Sequence, residues 1–290
     1  MKKIKIFGLL LLLLTVCFGS TGCTNDNMEG IDVLVTNYPN EFVTQKLYGE
    51  HSTITSIYPD GVDITNYSIN SKQKKDFSKY ELFIYNGLIE KERNLAVDLL
   101  EINPDLKIID TAYVLETDYS PEELWLNPSS LLMMAQNVRL GLREYISSNV
   151  LIDEIDVAYD NLKVELSELD ASYRIDVENT NNKIIIVANS TLKYLEKFGL
   201  EVYCVDSDAT DKVISDVENL INENKVSYIY VFKEEELSEK AKKLVEDNKD
   251  KISVIEMHRL DNISDSERSN NDDYISIMEN NLEIIKKEIY

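Results

Sequence analysis

Ile152-Asp153-Glu154-Ile155-Asp156-Val157-Ala158-Tyr159-Asp160-Asn161-Leu162-Lys163-Val164-Glu165-Leu166-Ser167-Glu168-Leu169-Asp170-Ala171-Ser172-Tyr173 is the most regular stretch of the chain. Ile152, Ile155, Tyr159, Leu162, Leu166, Leu169 and Tyr173 recur at alternating steps of three and four. That spacing predicts one apolar stripe on a helix over about 153–178. At 1.5 Å per residue the helix is roughly 40 Å long, enough to cross a whole domain. Fewer than four heptads are present, and differently patterned sequence flanks them. The stripe therefore reads as an intramolecular spine rather than a coiled coil.

On both sides of this spine, short β-rich runs alternate with helical segments. Before it, 31–36, 52–58, 82–85 and 106–110 read as strands, and 40–48, 71–78, 89–102 and 129–145 as helices. After it, strands at 183–188, 201–205, 228–232 and 252–257 alternate with helices at 191–198, 212–222 and 237–247. A polar loop at 262–273 then leads to a terminal helix at 273–289. Pro59-Asp60-Gly61, Asn86-Gly87 and Gly199 punctuate the pattern. Strands that alternate with helices make parallel sheets covered on both faces. The expected fold is α/β: two lobes, each a parallel sheet flanked by helices, joined by one long helix. The boundaries are an N-terminal lobe at 31–150, the linking helix at 151–180 and a C-terminal lobe at 181–290.

A length of 290 residues suits two domains. A hydrophobic share of 43% with 29% charged residues rules out wholesale disorder. The net charge of -23, from 53 acids against 30 Lys and Arg, repels phosphate backbones and argues against a nucleic-acid partner. No phosphate-cradling glycine loop and no Gly-x-Ser-x-Gly elbow occurs, and no histidine lies within motif distance of a nucleophile. The expectation is a binding protein, not an enzyme.

The chain starts with Lys2, Lys3 and Lys5, followed by an apolar run over 6–18. This is a basic n-region and an h-region of signal-peptide length, shorter than a membrane span. Gly19-Ser20-Thr21-Gly22-Cys23 follows and resembles a bacterial lipobox, with cleavage before Cys23 and acylation of its sulfur. The plainer alternative is an ordinary cleaved signal peptide. On the lipobox reading, 1–22 is a lipoprotein signal peptide and 23–30 a polar tether. Two acyl chains anchor stably where one does not. Cleavage leaves Cys204 as the one free thiol, which excludes an internal disulfide or a cysteine-based zinc site.

Five local motifs recur in a telling order: Val35-Thr36-Asn37-Tyr38-Pro39, Lys46-Leu47-Tyr48-Gly49, Tyr58-Pro59-Asp60-Gly61-Val62-Asp63, Tyr85-Asn86-Gly87-Leu88 and Leu124-Trp125-Leu126-Asn127-Pro128. Together with the exported start and the helix-linked lobes, they resemble the solute-binding proteins of bacterial zinc and manganese ABC importers. That family places four His or carboxylate groups on four loops between its lobes. The first falls here on Thr65, in Asp63-Ile64-Thr65-Asn66-Tyr67, where the family reads Asp-Pro-His-x-Tyr. The second falls on Glu123 and the third on Asn189. The fourth falls on or near His258, with Asp261 three residues on. Thr65 and Asn189 are weak oxygen donors for zinc. With two histidines in the chain, His51 and His258, a three-histidine zinc site is impossible.

Each position also has a plainer reading. His258 is a ligand or an exposed loop histidine; Glu123 is a ligand or part of a solvated acidic run. Tyr38 and Tyr67 line the cleft or pack against it. The resemblance implies a monomeric, lipid-anchored solute-binding protein on the extracytoplasmic face of the cell membrane. Its cargo would be a divalent metal ion, zinc or manganese, bound at an altered, weak site and delivered to an ABC permease. The alternative is a lipoprotein of the same fold that has lost metal and binds another solute or a protein partner. A continuous spine also implies that ligand-driven motion is a slight tilt of the lobes rather than wide closure.

Overall fold

The computed structural model describes residues 28–290. The signal-peptide reading of 1–22, Cys23 and most of the tether lie outside them. Met28 itself is fully buried, and Gly30 donates to the His51 carbonyl at 2.7 Å, so the last three tether residues belong to the first lobe.

The first lobe runs β1 (Ile31–Val35), α1 (Tyr38–Tyr48), β2 (Ser52–Ser56), α2 (Ser71–Phe77), β3 (Leu82–Tyr85), α3 (Glu90–Ile102) and β4 (Lys107–Asp110). Short α4 (Glu123–Leu126) and then α5 (Pro128–Tyr145) lead into α6 (Asn149–Asn179). The second lobe runs β5 (Ile184–Val187), a 3-10 helix (Ser190–Phe198), β6 (Glu201–Cys204), α7 (Asp211–Asn222), β7 (Tyr228–Phe232), α8 (Glu239–Asp247) and β8 (Ser253–Met257). It closes with α9 (Asp265–Ser269) and α10 (Tyr274–Ile289). Both sheets are wholly parallel and share one order, β2-β1-β3-β4 and β6-β5-β7-β8.

Strand alternation divides the core into three. Val33, Val35, Leu82 and Ile84 face inward in the first sheet, as Ile185, Val187, Tyr230 and Phe232 do in the second. All join one cluster with the buried stripe of α6. Leu34, Phe83 and Tyr85 face the other way and pack with Leu95 and Leu99 of α3. Ile186, Ile229 and Val231 likewise pack with Val217 of α7 and Leu244 of α8.

The spine has 31 residues, about 46 Å at 1.5 Å each. Its buried positions are Leu151, Ile155, Tyr159, Leu162, Leu166, Leu169, Tyr173 and Val177. The stripe thus starts at Leu151, with Ile152 only half-buried, and extends one turn past Tyr173. Ser148 caps the start by accepting from the Leu151 amide, and Tyr173 donates to the Met278 carbonyl at 2.7 Å, fixing the spine to α10.

Several local expectations change. Helix α1 starts at Tyr38 because Asn37 caps it, accepting from the Asn40 amide, and Pro39 is tolerated in the first turn. Residues 190–198 wind as a 3-10 helix, closed by Gly199 at φ 97°. The polar loop at 262–273 contains α9, nucleated by a capping box in which Ser264 and Glu267 satisfy each other's amides. Cys204 is half-buried on β6, and burial, with Asp206 beside it, pushes its thiol up to about 12.

A buried polar network ties the ends of β1 and β3 together. Glu92 accepts from the Thr36 hydroxyl at 2.6 Å, the Asn86 amide at 2.8 Å and the Asn37 side chain at 3.3 Å. Burial raises its pKa to about 7, against the opposing pull of the Thr36 and Asn86 donors.

Two outcomes follow from this packing. Leu166→Ala removes a side chain 1% exposed in the shared core, so it should cost about 2–5 kcal/mol in urea unfolding. Above an unfolded-state pKa of about 4.3, native Glu92 still holds a proton that the unfolded chain has released. Wild type should therefore lose stability relative to Glu92→Gln as pH rises from about 5 to 8, by roughly 1.4 kcal/mol per unit of pKa displacement. Urea midpoints of both proteins across that range check it; a flat difference would show that Glu92 does not titrate there.

Candidate functional site: the cleft between the lobes

In open parallel sheets, ligands bind beyond the carboxyl ends of the strands, where the strand order reverses. Here those ends are the β1/β3 and β5/β7 junctions, and the loops that leave them meet across the cleft.

Two bonded edges hold the lobes together. On one, Arg268 of α9 reaches Asp60 at 2.6 and 2.8 Å and Glu41 at 2.7 and 3.3 Å. Asn262 donates to the Pro59 and Val62 carbonyls, and the Gly61 amide to the Ile263 carbonyl. The Tyr38 amide donates to the Asp261 carbonyl. On the other edge Trp125 Nε1 donates to the Arg259 carbonyl at 2.9 Å, and Tyr119 donates to Glu196 at 2.7 Å. Lys197 lies 3.1 Å from Glu123.

Between these edges lie two cavities. One, about 400 Å³, is lined by Thr65 and Asn66 from the first lobe and by Lys233, His258, Asp261 and Glu267 from the second. The other, about 370 Å³, sits at the carboxyl end of the first sheet against Tyr58, Leu88, Glu92 and Trp125. Thr65 and Asp261 line both.

Of the five candidate ligands, the structure brings Thr65, His258 and Asp261 to one cavity. Among the described residues the Asp261 carboxylate makes no ion pair, and its pKa is raised by burial against the opposing charges of Arg259 and His258. His258 accepts from the Leu260 amide at Nδ1, 2.8 Å, which places the ring proton on Nε2, 3.3 Å from Glu267. Burial lowers the His258 pKa, so the imidazole is neutral at pH 7. Burial alone would raise Glu267, but the Ser264 hydroxyl and amide, with His258 and Lys233, bring it down to about 2.

Glu123 and Asn189 line neither cavity. Glu123, 1% exposed, accepts from the Tyr119 and Ser120 amides before α4 and from Lys197. Asn189 caps the 3-10 helix through the Thr191 amide and donates to Glu235 at 2.6 Å. The second oxygen of Glu235 takes Arg259 at 2.7 Å, and that guanidinium stacks over Phe232. Among the described residues, no three His, Cys, Asp or Glu groups converge at metal-holding distance. Tyr38 is buried at the start of α1, and Tyr67 packs edge-on against Tyr58; neither lines the two cavities. Sequence reasoning missed Lys197, Glu235, Arg259, Glu267 and Arg268. Only Glu267 had a local signal, the Ser264-x-x-Glu267 capping box.

The sequence and the fold have counterparts in known proteins. The chain is 21% identical over 99% of its length to the zinc-binding lipoprotein AdcA of Streptococcus pneumoniae, and spans 61% of that protein. It is 26% identical to the manganese ABC transporter substrate-binding lipoprotein ScaA of Streptococcus gordonii, over 99% of both chains. The crystal structure of the metal-dependent lipoprotein YcdH from Bacillus subtilis superposes with a TM-score of 0.73 at 18% identity, covering 89% of this chain and 99% of that one. Residues 33–288, which take in the spine, the cleft and all of both sheets but the first two residues of β1, match the family profile described as zinc-uptake complex component A periplasmic, and the chain belongs to that family.

Proposed function

We propose that this protein is the solute-binding lipoprotein of an ABC importer for divalent metal ions, with zinc or manganese held weakly between its lobes. The observation that carries this reading is Asp261: a carboxylate without an ion pair among the described residues, lining both cavities between the lobes. Thr65 offers a hydroxyl on the facing loop, and neutral His258 offers a nitrogen once it releases Leu260 or Glu267. Borderline cations accept that mixture of oxygen and nitrogen. Affinity is low because Glu123 and Asn189, at the remaining two positions, are bonded to Lys197 and Glu235. The loaded monomer would then dock on its permease, its lobes tilting slightly about the spine.

A second reading has its own support. Lys197 pairs with Glu123, and Arg259 with the Glu235 that holds Asn189, so positive charge stands beside two positions at which the family resemblance implies metal ligands. On that reading the fold is kept, metal is not the cargo, and another solute fills the cleft.

Titration calorimetry on metal-stripped protein tests the first reading. Zinc or manganese should bind in the micromolar range or weaker, and Asp261→Asn should weaken binding by about tenfold or more. Nanomolar zinc binding that survives Asp261→Asn would place the site elsewhere. The anchor is tested separately: Cys23→Ala should move the protein from membrane to soluble fractions and abolish labelling by a radioactive fatty acid. Unchanged fractionation and labelling would refute the lipid attachment.

A further inference from the structure

We infer that Glu267 is a metal ligand of the cleft, sharing one divalent cation with His258, and that the Lys233 ammonium competes with the metal for it. The inference rests on the first reading above, in which the cargo is zinc or manganese. Glu267 is not one of the four positions that the family resemblance implies. It stands on α9, inside the polar stretch 262–273, and lines the cavity of about 400 Å³ with Thr65, His258 and Asp261.

The two carboxylate oxygens of Glu267 are placed differently. Oε2 accepts from the Ser264 amide at 2.8 Å and the Ser264 hydroxyl at 2.6 Å, which fixes the group. Oε1 faces two nitrogen groups, His258 Nε2 at 3.3 Å and Lys233 Nζ at 3.4 Å. His258 is fixed too, since Asn281 of α10 accepts from its amide and donates to its carbonyl, both at 2.9 Å. A hydrogen bond from nitrogen to oxygen usually spans about 2.9–3.0 Å. Two donors each about 2.1 Å from one tetrahedral zinc ion lie about 3.4 Å apart. The observed 3.3 Å is the wider spacing, so the pair is set for a cation between them rather than for a proton. Thr65 and Asp261 of the same cavity, with water, are the sources of further oxygen.

Two features hold the affinity down. The Lys233 ammonium already sits beside Oε1, and a divalent cation there would meet a like charge at close range. Lys233 follows β7 directly, its amide bonded to the Met257 carbonyl, and its side chain is 49% exposed, so it can turn away into water. The second feature is the ring proton. The Leu260 amide donates to Nδ1, which leaves the proton on Nε2. For a metal to bond Nε2, that proton must leave to water and Nδ1 must take one up. The ring keeps its charge and its proton count, and the Leu260 amide loses its acceptor. Leu260 is fully buried, so this loss is costly.

The test uses the metal-stripped full-length chain in detergent, with zinc chloride and manganese chloride as probes and calorimetry as the readout. Glu267→Gln keeps the capping box, which accepts Gln as well as Glu, and removes the ligating charge. It should weaken zinc binding by about tenfold or more. Lys233→Met should tighten zinc binding by about tenfold, without changing a residue of α9. A second readout is the nuclear magnetic resonance signal of the Leu260 amide proton, which should move upfield as zinc saturates the wild type. Zinc binding weakened by Asp261→Asn but unchanged in Glu267→Gln would overturn the assignment and leave the metal reading standing. Unchanged affinity in Lys233→Met would overturn the competition, and an unmoved Leu260 signal at saturation would overturn ligation through Nε2. Binding of neither metal by wild type or by Lys233→Met would overturn both the assignment and the reading beneath it.

Discussion

Burial of a single helical stripe holds this protein together. Each parallel sheet has two apolar faces and must cover both. Local helices cover the outer ones, as α3 does over Phe83 and α7 and α8 do over Ile229. On the inner faces α1 and α5 lie against the first sheet and the 3-10 helix and α10 against the second, and the α6 stripe packs on those helices in one shared cluster. Each fully buried Leu or Ile of that stripe contributes roughly 1.5–3 kcal/mol, so eight buried positions outweigh any of the cleft's surface ion pairs. The lobes are consequently halves of one cooperative body, and a fragment cut within α6 would expose the apolar sides of α1 and α5 in one lobe and of α10 in the other.

The cleft shows what such a body can do with charge. The protein's formal charge is -23, yet the meeting line of its lobes is organised by its cations. Lys197 neutralises Glu123, Arg259 neutralises Glu235, and Arg268 joins two acids of the opposite lobe. A half-buried carboxylate without a cation would resist closure, and these pairs remove that resistance without any ligand. Asp261 stands apart because, among the described residues, no side chain bonds its carboxylate and only the charges of Arg259 and His258 act on it, which is why the metal reading turns on it.

Fold and site were unequally legible in the sequence. The spine and all eight strands announced themselves by period, since a three–four spacing and short β-branched runs are local properties of the chain. Segments that depend on caps were harder: Asn37 extends α1 to Tyr38, and Ser264 with Glu267 builds a helix inside a polar stretch. The family resemblance pointed at Thr65, Glu123, Asn189, His258 and Asp261, and the fold gathers three of them around one cavity. It could not reveal that Lys197 would meet Glu123 from 74 residues away, or Arg268 meet Asp60 from 208. Nothing in the residues around an acid announces the base that a second lobe will bring to it.

Each edge of the cleft combines charged and neutral bonds, and the two kinds answer differently to salt. Arg268 is 43% exposed and holds its acids by charge, so dissolved ions weaken its grip, with a screening length of about 8 Å at physiological ionic strength. Trp125 is 1% exposed and holds the Arg259 carbonyl through an uncharged bond on which salt has little purchase. Rising ionic strength therefore acts on the exposed Arg268 contacts before it reaches Lys197 and Glu123, whose carboxylate is 1% exposed. The neutral bonds of both edges, from Trp125 on one side and Asn262 on the other, are the fasteners that brine leaves in place.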